Sequence, residues 1–465
     1  MTRHIRLLGK VLTPAVLSSF LLLTVSSPTA YAENLLDVYQ AAKDSDALLR
    51  ASRAGYAATE QSVPQARSAL LPTLGASATT SFNEIDIPSV GDLSFNDHGW
   101  NAQLRAPVLN MEGWFNLSSA RANVDAAGFD LLAAEQQLIV RVVQAYLNVL
   151  RAQDLLDSTT AEEAAVKRQL EQVQQRFDVG LVAITDVLES QAVYDSAVVR
   201  RIQADGDHDI FFESLSTLTG ISYTALDRLS EKLPIVNPNP TDEDTWVNAA
   251  MSSNLGIKTA QAQLTAARRA VRARRSGHLP TIAATVTQAH SVSGAPNFFN
   301  SDVTDTTIYG LQFNLPLYSG GLTRARTKEA TANRNRAQEL LLNQQRTVTR
   351  DTRNLYQAVA TDVVRVRARL KAIASAQSAL EATETGYEVG TRNIVDVLQA
   401  QQSLFRSQFD YADSRYNYVL DLLLLKQVAG TLEGADLEEL NRFTDPNDQV
   451  RRLVSLRQRS DGTSQ

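Results

Sequence analysis

Arg176-Phe177-Asp178-Val179-Gly180-Leu181-Val182-Ala183-Ile184-Thr185-Asp186-Val187 and Gly386-Tyr387-Glu388-Val389-Gly390-Thr391-Arg392-Asn393-Ile394-Val395-Asp396-Val397 are two versions of one segment, 210 positions apart. Other landmarks repeat at nearly that distance. Leu71-Pro72-Thr73-Leu74 answers Leu279-Pro280-Thr281-Ile282 after 208 positions, and Ala106-Pro107-Val108 answers Leu315-Pro316-Leu317 after 209. Thr219-Gly220 answers Ala429-Gly430 after 210. Solenoid repeats have periods of roughly 20–50 residues; a period this long describes a whole substructure. The chain of 465 residues therefore reads as two copies of one unit, 33–233 and 243–440. A proline-rich linker at 234–242 joins them, and a polar tail, 441–465, is expected to be mobile.

Working outward from the two VG turns, the chain on either side is helical in composition. No proline lies between Pro107 and Pro234, or between Pro316 and Pro446. Proline inside a helix costs roughly 3 kcal/mol, so these gaps permit very long helices. Gly113–Asp178 has only Gly128 as an interior weak point, and Leu322–Thr385 has no glycine at all. At 1.5 Å per residue each makes a rod on the order of 100 Å long. Val359, Val363, Val366, Leu370 and Ile373 step by fours and threes, as do Ala145, Val149, Ala152 and Leu156. That period is the seam of a supercoiled helix pair. Shorter helices are expected over about 35–70, 183–219, 243–277 and 393–429.

Between each Leu-Pro and the next rod the period changes to two. Trp100, Ala102, Leu104 and Ala106 alternate with Asn101, Gln103 and Arg105; Tyr309, Leu311, Phe313 and Leu315 alternate with Gly310, Gln312 and Asn314. Weaker alternation runs through Leu74–Phe82 and Ile282–Val292. Strands are thus expected near 73–82, 99–109, 281–292 and 306–317, with exposed loops at 83–97 and 291–305. Segments of about ten residues with one apolar and one polar face mark transmembrane β-strands. One such segment alone reads equally as a strand of a soluble sheet; four at duplicated positions do not. Four strands cannot close a barrel, and open edges in lipid leave backbone groups unsatisfied. Three chains would pool twelve strands into one bore and lay their helices side by side as a tube. The expected fold is mostly α, with a trimeric twelve-stranded transmembrane β-barrel continued by a helical barrel.

Arg3, Arg6 and Lys10 precede an apolar run from Val11 to Val25, and Ala30-Tyr31-Ala32 offers small residues for cleavage. Residues 1–32 read as a secretory signal. The net charge of −6 becomes −9 without its three cations. With no cysteine in the chain, thiolate metal sites and Cys nucleophiles are excluded. His98, His208, His278 and His290 are scattered without metal-ligand spacing, and no nucleophile elbow or phosphate loop occurs. No enzyme, cofactor, metal or nucleic-acid partner is expected. The arginines at 268, 269, 272, 274 and 275 suit a helix C-terminus. A secreted coiled coil or a periplasmic adaptor is the competing class, and neither explains the strands.

These residues resemble the TolC family of outer-membrane efflux and secretion ducts along essentially the whole chain. The two VG segments carry most of the resemblance, supported by Gly277-His278-Leu279-Pro280-Thr281, Leu315-Pro316-Leu317-Tyr318-Ser319-Gly320-Gly321 and Ala412–Tyr418. The lipid-anchored members begin with a cysteine that this chain lacks. The resemblance implies a homotrimer in the outer membrane of a Gram-negative cell, contacting its lipid and crossing the periplasm. It implies an exit duct for multidrug efflux, type I protein secretion or both, closed at its inner end by helices tied to their neighbours. The matching latch residues are Tyr387 and Arg392, with Asp186, Thr185 and Gln169 as their partners. On spacing alone these are polar groups capping the short helices that follow each VG turn. Asp396 matches a carboxylate ring at the entrance; one turn on, Gln399 stands where a second acid is expected, and the facing of Glu189 is open. Val179, Gly180, Leu181, Val389, Gly390 and Thr391 match the tips that meet a periplasmic adaptor, coupled to an inner-membrane pump of RND, ABC or MFS type.

Overall fold

The computed structural model describes residues 33–89, 91–294 and 303–452. The expected signal at 1–32 lies outside the described residues. Two rods dominate: α4, Met111–Asp178, and α8, Leu322–Glu388, of 68 and 67 residues. Each turns at its VG tip into a shorter partner, α5 (Ile184–Thr219) and α9 (Ile394–Ala429). Both partners stop at a left-handed glycine, Gly220 and Gly430, each with φ +73°. Those are the Thr-Gly and Ala-Gly landmarks of the repeat, now explained as helix C-caps.

Ahead of each strand pair the expected single helix is broken. In the first repeat α1 (Leu35–Ser45), α2 (Ala47–Glu60) and α3 (Ser62–Ser68) replace it; in the second, α6 (Glu243–Ser253) and α7 (Leu255–Arg275). The first break falls at Asp46 and the equivalent one at Asn254. Asp46 Oδ1 accepts the Leu49 N–H at 2.6 Å, and Asn254 Oδ1 accepts the Ile257 N–H at 3.0 Å. A side chain that caps the next helix competes with continuing the previous one. Arg141 grips the Asp46 carboxylate with two bonds of 2.9 Å and holds its pKa below the usual range.

One antiparallel sheet has the order β1-β2-β4-β5, with β1 Thr73–Ile87, β2 Gly91–Leu109, β4 Thr281–Val292 and β5 Val303–Asn314. The first hairpin is longer than its alternation suggested. Residues 83–87 and 91–97, expected as loop, stay paired, because backbone pairing continues past the amphipathic stretch. The last strand begins at Val303 and ends at Asn314, three residues earlier than expected, Pro316 lacking the N–H that would extend it. One face carries Leu74, Leu104, Tyr309 and Leu311, which are 76%, 41%, 78% and 72% exposed in the single chain. The opposite face is polar: Gln103 Nε2 donates to Thr287 Oγ1, and Arg105 Nη1 to Gln312 Oε1, both at 3.4 Å. The outer edges of β1 and β5 have no partner within the described residues.

A second sheet corrects the expectation for the tail. β6, Thr444–Arg451, pairs antiparallel with β3, Ala225–Leu229, across the middle of the molecule. Arg228 on β3 reaches Asp154 and Asp157 of α4 at 3.2 and 2.8 Å. Around this belt lies the main core, with Tyr146, Phe212, Leu215, Leu226, Leu425 and Val450 all buried. Each such side chain contributes about 1.5–3 kcal/mol. The linker packs here too, since the Tyr418 hydroxyl donates to the Val236 carbonyl at 2.9 Å. His208 is fully buried edge-on to Phe212, 5.0 Å between ring centres, and burial lowers its pKa. It is a core histidine.

Candidate functional site at the inner helix ends

The two VG tips have one geometry. Gly180 and Gly390 both sit at φ +79°, a conformation open to glycine and unfavourable for other residues. The Gly180 N–H donates to the Phe177 carbonyl (2.8 Å) and the Leu181 N–H to Arg176 (2.9 Å). The Gly390 N–H donates to Tyr387 (3.1 Å) and the Thr391 N–H to Gly386 (2.8 Å). This pattern satisfies the last helix carbonyls and reverses the chain. It also turns three apolar side chains outward: Val179, Leu181 and Val389 are 71%, 73% and 69% exposed. Behind the tips a small core of Val173, Val187, Leu380, Ile394, Val397 and Leu398 holds the four helix ends together.

Beside that core is a cleft of about 780 Å³ between the ends of α4, α8 and α9, lined by Gln169, Arg176, Glu384, Tyr387 and Gln401 among others. Gln169 and Tyr387 are thus brought to one place. The Arg176 guanidinium stacks over the Tyr387 ring at 5.0 Å, a contact the sequence reading missed although Arg176 stood in the quoted motif. The Tyr387 hydroxyl is buried and has no hydrogen-bond partner among the described residues. Gly386 lets Arg392 fold back on the rod, since a Cβ there would meet Arg392 Cγ at 2.8 Å. Arg392 Nη1 lies 3.9 Å from Asp396 Oδ2.

Asp396 has a second task. Its carboxylate accepts the Asn393 N–H at 3.3 Å while Asn393 Oδ1 accepts the Asp396 N–H at 2.8 Å, a capping box that starts α9. On the other side, Thr185 Oγ1 donates to Asp186 Oδ1 at 3.4 Å in the first turn of α5. Among the described residues no hydrogen bond or ion pair joins Thr185 or Asp186 to Tyr387 or Arg392 within one chain. The two halves of the expected latch are therefore separate in a single copy.

A membrane-type sheet, paired rods and matched tips describe a duct wall, and the comparisons agree. The family described as Outer membrane efflux protein matches residues 38–221 and 246–431, once per repeat. The chain belongs to this family. As an outer membrane efflux protein it resides in the outer membrane and extends into the periplasm, and its family is one of channels rather than enzymes. The outer membrane protein TolC of Vibrio cholerae serotype O1 is 35% identical over 419 residues, covering 89% of this chain and 94% of the relative. TolC of Escherichia coli K12 is 34% identical over 426 residues, covering 89% and 86%. The alkaline protease secretion protein AprF of Pseudomonas aeruginosa is 27% identical, covering 88% and 87%. Among solved structures, CusC superposes with a TM-score of 0.77 at 15% identity, over 86% of this chain and 93% of that one. VceC of Vibrio cholerae gives 0.73 at 17%, over 86% and 97%. These share the fold.

Proposed function

We propose that three copies of this chain close their four-stranded sheets into one twelve-stranded barrel and their helices into a tube, gated at its inner end by Tyr387 and Arg392. The protein is an exit duct for efflux and type I secretion, passive in itself. The free edges of β1 and β5 support closure by neighbours, because each unpaired backbone group costs several kcal/mol in lipid. An exposed apolar sheet face supports the membrane setting.

The observation that carries the gate is the buried Tyr387 hydroxyl without a partner. Leaving such a group unsatisfied costs about 1–3 kcal/mol, so an acceptor is expected to reach it when the helix ends repack against a neighbouring copy. Asp186 of the adjacent copy, with Thr185 and Gln169, supplies acceptors; Arg392 donates to the same group. Three such links hold the entrance closed, and a periplasmic adaptor bound to the exposed tips, coupled to an inner-membrane pump, releases them. Tyr387→Phe combined with Arg392→Ala is expected to raise single-channel conductance several-fold in trimers that migrate normally in unboiled gels. Unchanged conductance in such trimers refutes the latch.

Asp396 of three copies forms the entrance ring. Because Gln399 supplies no second ring and Arg392 lies close to each carboxylate, cation trapping is weaker than in a two-ring entrance. Block by divalent cations is expected to fall in Asp396→Asn; persistence of the block removes the ring.

A further inference from the structure

The two faces of the β1–β2 hairpin exchange character part-way along. Its register runs unbroken from Thr73 opposite Arg105 to Ile87 opposite Gly91. Even-numbered and odd-numbered side chains therefore keep to opposite faces throughout. At the lower end the apolar residues are even (Leu74, Trp100, Leu104), and their odd neighbours Asn101, Gln103 and Arg105 are polar. Past Asp97 the assignment reverses. Ile85, Ile87, Leu93 and Phe95 are odd, while Glu84, Asp86, Asp92, Ser94 and Asn96 are even; the apolar even Phe82 and the polar odd Asn83 are the exceptions. Along this part of β2 the odd residues Leu93, Phe95 and Asp97 are half-buried and the even ones exposed.

Half of the reversal has a simple cause. Above the membrane the even face leaves lipid and meets water, so it carries charge. Nothing of that kind explains the odd face, which is polar below and apolar above. Apolar side chains are stable there only if something withdraws them from water. Asp97 marks the boundary. Its Oδ1 accepts from the Ser293 hydroxyl (2.8 Å) and the Gly294 N–H (3.0 Å), and its Oδ2 from Asn83 Nδ2 (2.7 Å). The hairpin is tied to the end of β4 at the height where the reversal begins.

We propose that Ile85, Ile87, Leu93 and Phe95 of three copies meet as an apolar collar around the outer mouth of the channel and slow the entry of bulky polar solutes from outside. The inference rests on the trimeric barrel proposed above, in which the odd face lines the lumen. Such a collar needs no plug, because a hydrophobic constriction excludes hydrated solutes by dewetting. Outbound cargo driven by a pump parts side chains there and breaks no ion pair.

The chain has no cysteine, so one introduced thiol reports without background. Gln103→Cys sits on the odd face below the collar and would be labelled on intact cells with a small maleimide or a polymer-bearing one. The small reagent is expected to react equally with the original hairpin and with Leu93→Ser/Phe95→Ser. The bulky one is expected to react about tenfold faster with the double variant, as loss of a dewetting constriction implies. Phe95→Trp, which narrows the ring, is expected to slow it, and Asn96→Ser on the outer face to leave it unchanged. Equal bulky labelling with and without the apolar residues overturns the collar. Should Ala102→Cys on the even face be the position that water-soluble reagents reach, with Gln103→Cys shielded, the barrel reading itself fails.

Discussion

Tryptophan at Gly180 or Gly390 is expected to abolish efflux while the proposed trimer still assembles and reaches the outer membrane. Both glycines hold φ +79° at the end of a rod, and a Cβ built at either meets nothing within 4 Å. Forcing an L-residue into that region costs roughly 1–2 kcal/mol. The cost falls on a solvent-exposed turn, remote from the main core around Tyr146 and Phe212. Assembly therefore survives. The tip does not, because the indole is added beside Val179 and Leu181 at one turn, or beside Val389 at the other, the exposed apolar residues through which an adaptor is proposed to dock. Drug susceptibility of a strain carrying the variant, together with its heat-modifiable band, checks both halves. Normal efflux with a full trimer band rules out docking through the tips.

Asp362 is expected to make the packed helices less stable as the pH rises from about 4 to 7, opposite to an ordinary paired carboxylate. It lies on α8 and its side chain is 1% exposed. One oxygen accepts from Arg365 Nη1 at 2.6 Å, and Oδ2 has no donor. Burial chiefly raises its pKa, from 3.8 to about 6; Arg365 opposes the shift, and Asp421 on α9 adds to it by sharing a hydrogen bond. Two carboxyl groups in contact are comfortable only with a proton between them. For an acid whose folded pKa lies above its unfolded one, the stabilisation is complete below the unfolded value and lost as pH climbs through the folded value. Asp362→Asn supplies a permanent donor toward Asp421, and the Arg365 guanidinium it gives up is about half exposed and stays solvated by water. Urea midpoints are expected to fall from pH 5 to pH 8 in the original chain and stay flatter in Asp362→Asn, with the variant more stable at pH 8. Parallel pH profiles refute the shared proton.

Much of the architecture was legible because it is written in local periods. Proline-free stretches gave α4 and α8 nearly to the residue, since a single ring inside a helix costs more than any local preference returns. Alternation located all four strands of the membrane-type sheet. It misplaced their ends, because backbone pairing at 83–87 and 91–97 continues where the side-chain pattern inverts. The helix breaks at Asp46 and Asn254 were overlooked although both are good N-cap residues in equivalent positions.

The paired tips and the candidate latch show where local reading stops. Gly180 and Gly390 announced their turns, whereas the capping box of Asn393 with Asp396 emerged only from the structure. That the Tyr387 hydroxyl is buried without a partner among the described residues, on a ring stacked beneath the Arg176 guanidinium, is not a property of any window of sequence. It depends on α4 and α8 meeting at their inner ends, more than 200 residues apart along the chain.

By itself the sequence determined the duplication, the lengths of the rods, the amphipathic strands and the turns between them, because each is set by forces acting over a few neighbouring residues. Only the tertiary structure decided that the polar segment Thr444–Arg451 is a strand, that Asp362 lies against Asp421, and which of the polar groups at the helix ends remain unpaired. Those outcomes depend on long-range pairing and on exclusion of water, and both arise only when distant parts of the chain close on one another.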